Sequence, residues 1–399
     1  MFVYLQNKVS NVSRMNRPVK LLYIYSEITI KGGADKVIVE KTNYFAAHGY
    51  EVVLVTEAQM GQDMAFPLIS KVKHIDIGLD FNKQYTRGFL YRAITYFSLM
   101  RLYRRRLRNV LQKEQPDIVI TTLGRSLDII ANEWDGCVKL GEAHTTKNHL
   151  RSLHLMEEKG GLYKYLAKYM RKKMSKEVSR LDALVLLTQQ DADNWTEAKR
   201  IFVIPNAIPF TTEKVSKLTN KQVIMVGRFN DAKGYDYLIP AWELVHLKHP
   251  DWILNVFGSG ELHDDVVRWI KDRNLDSSIL LHNPTEKIVD EYLENSICVV
   301  SSRYEGFSLV IMESMTCGVP VVSFDCPYGP RTIIRNGEDG LLVEYLNPEA
   351  LADGICQLIE DEDMRYRFAR NAVINIKRFS KEIVMKQWDD LFISLLEKD

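Results

Sequence analysis

The chain has 399 residues, a formal net charge of +1, and 46% hydrophobic and 26% charged residues. Such a length allows two or three domains with ample buried core. The near-neutral balance argues against a general nucleic-acid binder, and no apolar run reaches membrane-spanning length.

Residues 1–16 are mixed and polar, without a leader pattern, and are expected to form a loose tail. The following half alternates apolar runs with helical stretches. Strands are predicted at 21–26, 51–56, 73–77, 117–122, 138–142 and 183–188, and helices at 34–48, 89–114 and 162–179. Ile204-Pro205-Asn206-Ala207-Ile208-Pro209 then reads as a stiff linker. The scheme repeats beyond it. Strands are predicted at 222–227, 252–258, 278–283, 297–301 and 320–324, and helices at 235–249, 262–274, 286–295, 309–317 and 348–360. Alternation of this kind means parallel sheets covered by helices. The expected architecture is α/β, with two Rossmann-like domains facing a cleft at 17–204 and 205–380. A last helix at 381–399, with Trp388, Leu391, Phe392 and Leu395 at helical spacing, is expected to pack back on the first domain.

Two stretches of the first half are strongly basic. One runs from Lys83 to Lys113 and includes Arg101, Arg104, Arg105, Arg106 and Arg108; the other runs from Lys159 to Arg180. Both interleave Tyr, Leu, Phe and Met. Either they are solvated helix faces, or they lie on an anionic membrane surface; two such segments in one half favour the second reading. The cysteines Cys137, Cys298, Cys317, Cys326 and Cys356 are odd in number and widely spaced. They suggest neither a disulfide framework nor a zinc cluster, but buried thiols in a cytosolic protein.

Ligands of open parallel sheets sit at the carboxyl ends of strands. Three loops there carry chemistry. Lys31-Gly32-Gly33 lets backbone approach a ligand closely, although a simple tight turn has the same composition. Gly227-Arg228-Phe229-Asn230-Asp231-Ala232-Lys233-Gly234 delivers a guanidinium and an ammonium suited to phosphate oxygens. Glu305-Gly306-Phe307-Ser308-Leu309-Val310-Ile311-Met312-Glu313 spans a strand end and the next helix, whose amides suit a phosphate. In a continuous helix the two acids would stand about 12 Å apart. That spacing suits two grips on one extended ligand, such as sugar or ribose hydroxyls. His144 follows a strand and is expected to face the cleft. The G-x-G-x-x-G fingerprint, the G-x-x-x-x-G-K-[ST] loop and H-E-x-x-H are all absent.

Taken together, Gly227-Arg228…Lys233-Gly234, the E-x7-E segment, Gly318-Val319-Pro320-Val321-Val322, Gly337-Glu338-Asp339-Gly340-Leu341-Leu342-Val343, Ile204-Pro205-Asn206 and Gly32-Gly33-Ala34 resemble a retaining glycosyltransferase of family four, with GT-B architecture. The resemblance runs from about Lys20 to the C-terminal helix. It implies that Arg228 and Lys233 neutralise a departing donor diphosphate. Glu313 would hold the ribose, Glu305 the donor sugar, and backbone at Gly227, Gly306, Phe307, Ser308 and Leu309 the sugar or phosphate. His144 would approach the sugar, Gly33 would admit the diphosphate, and the base would lie against the 282–286 loop near Asn283. No metal or cofactor is expected, because cations and a helix dipole carry the charge. Ser308 stands where many members have a smaller or apolar residue, so sugar identity does not carry over. The Asp325-Cys326-Pro327-Tyr328-Gly329-Pro330-Arg331 turn resembles a subgroup building bacterial surface polysaccharides or lipid-linked glycans. The implied partners are a nucleotide-sugar donor (UDP-linked by expectation), a glycan or polyprenyl-diphosphate acceptor, and an anionic membrane face; nucleic acid is not among them. The alternatives are a nucleotide-sugar epimerase or phosphorylase on a similar fold, and a non-catalytic binding module.

Overall fold

The computed structural model describes residues 17–81, 89–133 and 136–397. The expected loose tail at 1–16 lies outside the described residues, as do Lys83 and Arg87 of the first basic stretch. The chain divides into two compact units, Met1–Ile204 with Met385–Asp399, and Pro205–Val384.

The first unit is built on parallel strands β1 (Lys20–Tyr25), β2 (Glu51–Thr56), β3 (Val72–Asp76), β4 (Ile118–Thr121), β5 (Val138–Glu142), β6 (Ala183–Leu186) and β7 (Ile201–Val203), in the order β3-β2-β1-β4-β5-β6-β7. The second carries β8 (Gln222–Val226), β9 (Ile253–Phe257), β10 (Ile279–His282), β11 (Ile297–Val300), β12 (Val321–Phe324) and β13 (Gly340–Val343), in the order β10-β9-β8-β11-β12-β13. The central strands are short, apolar and rich in Val and Ile. They are buried on both faces, as sheets covered by helices require. Leu21 pairs with Val52, and Leu22 with both Val53 and Val119, so each strand presents a continuous apolar surface to the helices above and below.

Strand order reverses between β1 and β4 in the first sheet, and between β8 and β11 in the second. At such a point the following loops diverge to opposite faces and leave a crevice at the strand ends. Leu22, Val53, Val119, Leu184 and Trp195 centre the first core. Leu238, Trp242, Val299, Val322 and Ile355 centre the second. Each such side chain contributes roughly 1.5–3 kcal/mol on burial.

The Lys381–Leu396 helix buries Trp388, Leu391, Phe392 and Leu395. Within the first unit the Phe392 ring stands 5.2 Å from Phe45 and 5.8 Å from Tyr50. The Tyr50 hydroxyl donates to Asp389 Oδ1 at 3.0 Å.

Several elements differ from expectation, among them the unpredicted short helices Leu127–Glu133, Leu153–Glu158 and Gly329–Ile333. Strands β7 and β13 are too short, and β13 too close to Gly337 and Asp339, for alternation to reveal them. The Glu362–Asn375 helix follows the preceding helix with only Asp361 between them. Its carboxylate accepts from Met364 N at 2.8 Å and caps the new helix, so no glycine or proline marks the break. The helix of the E-x7-E segment begins at Leu309, and Glu305 instead forms an isolated bridge with Tyr328. The two acids therefore do not share one helix.

Candidate functional site

Gly227 and Arg228 leave β8 at the switch point, and the chain tightens into a 3-10 turn over Asp231–Lys233. Gly234 ends that turn with φ +63°, and a Cβ there would meet the Ser301 carbonyl oxygen at 2.2 Å. Only glycine satisfies both conditions. Ser301 Oγ donates to the Lys233 carbonyl at 2.8 Å and fastens this loop to the end of β11. The Lys233 stem then crosses Gly227, where a Cβ would stand 3.2 Å from Lys233 Cγ.

This routing carries the Lys233 ammonium to Glu305. Lys233 Nζ donates to Glu305 Oε1 at 2.6 Å, and Ser302 Oγ donates to the same oxygen at 2.8 Å. The two charged side chains keep 21% and 12% of their surface exposed. Arg228 is exposed, and no side chain among the described residues pairs with its guanidinium.

Ser308 takes the N-cap position of the Leu309–Thr316 helix with extended backbone, but its hydroxyl makes no capping bond. The residue is 1% exposed and Oγ has no hydrogen-bond partner. A buried hydroxyl without a partner is costly, and here it stands at a helix N-terminus suited to an anion. Phe307 beside it is buried, edge-on to Phe379 at 5.4 Å. Gly306 precedes it, half-buried. The turn after β12 closes over this segment. A Cβ at Gly329 would lie 3.0 Å from Glu305 Cβ and 3.4 Å from Ser308 N, and Tyr328 before it has φ +82°. Glu313, in the second turn, accepts from the buried Tyr292 hydroxyl at 3.2 Å. Burial, and then the Glu313 charge, push that phenol above its ordinary range.

The structure thus gathers Gly227, Arg228, Lys233, Glu305, Gly306, Phe307, Ser308, Leu309 and Glu313 around the ends of two neighbouring strands. Asn283 is not among them. It lies exposed after β10, with β9 between its strand and β8. Its neighbour His282 stacks on Phe257 at 4.5 Å and meets Asn255 Oδ1 at 3.0 Å.

In the first unit, Gly33 opens the Gly33–Ala47 helix after β1 and is exposed. His144 stands two residues past β5, with 10% of its side chain exposed. Its Nε2 lies 3.3 Å from Glu142 Oε1, and Glu142 is ion-paired with Lys41. Burial pushes the His144 pKa down; Glu142 opposes this and Lys41 adds to it.

Sequence reasoning missed Lys41, Ser302 and the role of Glu142. A signal was present for Lys41, a cation on the face of the Gly33–Ala47 helix that also carries Ile38, Val39 and Phe45. Among the described residues, His249, Cys356 and Glu360 place donor atoms within 4.8 Å of one another. His249 Nε2 and Glu360 Oε1 are already 3.0 Å apart, and this group lies between the C-terminal cap of the Tyr235–Lys248 helix and the Pro348–Glu360 helix. None of the five cysteines forms a disulfide. No helix among the described residues is long and apolar enough to cross a membrane.

Residues 31–211 match the family described as Glycosyltransferase Family 4, and residues 210–373 match Glycosyl transferases group 1. An uncharacterized glycosyltransferase of Haemophilus influenzae is 26% identical over 382 residues, 92% of this chain and 98% of that protein. The amylovoran biosynthesis glycosyltransferase AmsD of Erwinia amylovora is 31% identical over 220 residues, 53% of this chain and 62% of that protein. An exopolysaccharide phosphotransferase of Streptomyces coelicolor is 35% identical over 225 residues, 55% of this chain but only 24% of that protein. The chain therefore spans less than two thirds of the last two relatives.

Two solved structures share the fold. A variant of S. aureus TarM in complex with fondaparinux, alpha-GlcNAc-glycerol and UDP matches with TM-score 0.76 at 18% identity, over 95% of this chain and 100% of that one. Sucrose-phosphate synthase of Thermosynechococcus elongatus matches with TM-score 0.76 at 18% identity, over 94% and 99%. Two Rossmann-like sheets, each with its order reversal, and two family matches that together run from residue 31 to residue 373 converge on one assignment: the chain belongs to the family 4 glycosyltransferases, with the GT-B fold.

Proposed function

We propose that this glycosyltransferase moves a sugar from a UDP-linked donor to a glycan or polyprenyl-diphosphate-linked acceptor, with retention of anomeric configuration, in the building of a bacterial surface polysaccharide. One observation carries the reading of the donor site. Lys233 and Glu305 face each other at 2.6 Å at the switch point, beside the buried, unpartnered hydroxyl of Ser308 at a helix N-terminus. An ammonium and a carboxylate in contact can each exchange partner when a ligand arrives. Lys233 then turns to the diphosphate, joined by the exposed Arg228, and Glu305 turns to sugar hydroxyls. Ser308 Oγ and the first amides of the Leu309–Thr316 helix meet phosphate or sugar oxygens, while Glu313 holds the ribose. Charge that grows on the leaving diphosphate is met by fixed cations and amides, which is the term that most lowers such barriers. No metal ion is required in this scheme. His144 contacts a hydroxyl of the sugar.

A UDP-linked donor is supported by the UDP in the TarM complex, and a polysaccharide product by the name of the Erwinia relative. For the acceptor, support comes from the exposed apolar and aromatic side chains of the Gly161–Val178 helix, Leu162, Tyr165 and Tyr169, beside the exposed Lys164, Lys168 and Lys172. Such a mixture suits an anionic lipid surface. Part of the basic charge has structural work instead. Arg106 donates to the Ile77 carbonyl at 2.6 Å, Arg171 holds Glu157 at 2.8 Å, and Lys173 holds Asp128 at 2.5 Å.

The test is product analysis with a panel of nucleotide sugars, with and without lipid-linked acceptor. Transfer from a UDP-sugar with retained configuration is expected. Inversion, or release of sugar with no acceptor product from any donor, would overturn the reading. For the membrane face, Lys164→Glu with Lys168→Glu should weaken binding to anionic vesicles at low salt, and unchanged binding would reject that surface.

A further inference from the structure

A buried ion pair sits behind His144. Lys41 and Glu142 are in contact with only 4% and 1% of their side chains exposed. The Lys41 ammonium also lies 4.0 Å from the centre of the Trp388 ring, on the C-terminal helix of the same unit. Two charges taken out of water cost several kcal/mol each, and a well-packed apolar pair is often as stable. Stability alone therefore does not account for this pair. Its placement does. Lys41 rides on the helix that starts at Gly33, and Glu142 ends β5, two residues before His144.

We propose that Lys41 and Glu142 are positioning residues for His144: Lys41 holds the Glu142 side chain in place, and Glu142 accepts the Nε2–H of a neutral imidazole, leaving Nδ1 as an acceptor for a substrate hydroxyl. This rests on the reading of His144 as a sugar contact. The geometry agrees. Glu142 Oε1 lies 3.3 Å from Nε2; both ring nitrogens are buried and neither completes a hydrogen bond in the free protein, which leaves Nε2 to close on Glu142 and Nδ1 to meet a ligand. An imidazole whose far nitrogen is tied to a carboxylate has a fixed tautomer and a fixed ring plane. The charged groups around the ring are Glu142 and Lys41; the Tyr23 hydroxyl lies near Glu142, with Tyr50 and its partner Asp389 beyond it.

The experiment uses the full chain with 15N-labelled histidine, following the ring nitrogens of His144 from pH 5 to 9 and assigning them with His144→Gln. The wild type should show a neutral ring protonated on Nε2. Glu142→Gln should mix the tautomers and lower kcat about 10–100-fold, with the KM for donor changed less than about twofold. Lys41→Met should move the protonation midpoint of His144 upward, and Glu142→Gln downward. The neutral double variant Lys41→Met with Glu142→Leu keeps the interior free of lone charge, and it should fold yet retain the kcat defect. A wild-type ring protonated on Nδ1, or a Glu142→Gln protein with unchanged spectrum and kcat while His144→Gln is impaired, would overturn the positioning role. Full transfer by His144→Gln would instead remove the sugar-contact reading, and this inference with it.

Discussion

Each unit holds a lysine–glutamate pair near the ends of its central strands, and the two pairs are built for different work. Lys41 and Glu142 are sealed among apolar side chains and Trp388, and no ligand can reach between them without opening the fold. Lys233 and Glu305 keep part of their surface in solvent, Glu305 also accepts from the Ser302 hydroxyl, and the exposed Arg228 lies on the same loop as Lys233. The first pair is a fixed strut; the second is a contact that a ligand can replace. Burial, more than distance, separates a structural ion pair from a binding one, because desolvation sets how much is lost when a partner leaves.

The sharpest way to break this contrast is to remove one lysine from each pair. Lys41→Met leaves a buried carboxylate alone and should cost about 3–5 kcal/mol of stability, read by denaturant unfolding. Lys233→Ala should leave unfolding nearly unchanged but lower transfer about 10²–10³-fold. If both variants lose only stability, or both only activity, the contrast is false. A smaller effect is expected from Ser308→Ala. It removes a hydroxyl with no partner in the free protein, so the melting temperature should hold or rise. Donor affinity should fall by about tenfold, the worth of one hydrogen bond of about 1.4 kcal/mol, as read by calorimetry.

The smallest effect concerns another buried acid, Glu177, on the Gly161–Val178 helix. Burial and the neighbouring Asp128 push its carboxyl up to about 7. Its folded pKa therefore lies above the unfolded value of 4.5, so the folded state binds more protons between these limits. Its contribution to stability is complete below pH 4.5 and is lost as pH rises through 7. Glu177→Gln should flatten that decline and protect the helix at pH 8, measured by amide exchange; an unchanged pH profile would refute the assignment.

Much of this fold was legible in the sequence, because parallel strands buried on both faces must be short apolar runs. Residues 51–56 and 138–142 match β2 and β5 in both bounds. The elements that escaped were those stabilised by tertiary context. Ile201, Phe202 and Val203 become a strand only because β6 offers an edge to pair with. The Glu362–Asn375 helix hides its buried Phe368, Ala369 and Ala372 among charges. At the site, composition and spacing pointed to Arg228, Lys233, Glu305 and Glu313 as separate grips. That Lys233 rests on Glu305 across 72 positions of chain depends on how the β8 and β11 loops meet, and sequence spacing carries no such information. Likewise Lys41 stands out on the apolar face of its helix, but its partner Glu142 emerges only when β5 is placed beneath it.

The return of the last helix to the first unit has a consequence for biosynthesis. Phe45 and Tyr50 are covered by Phe392, which the ribosome delivers only after the whole second unit. At about 5–20 residues per second, the stretch after Ile204 takes roughly 10–40 s to make. Throughout that interval the nascent first unit shows an unpaired aromatic face to the cell, open to chaperone capture, and a stop codon anywhere before Phe392 would leave it uncovered for good.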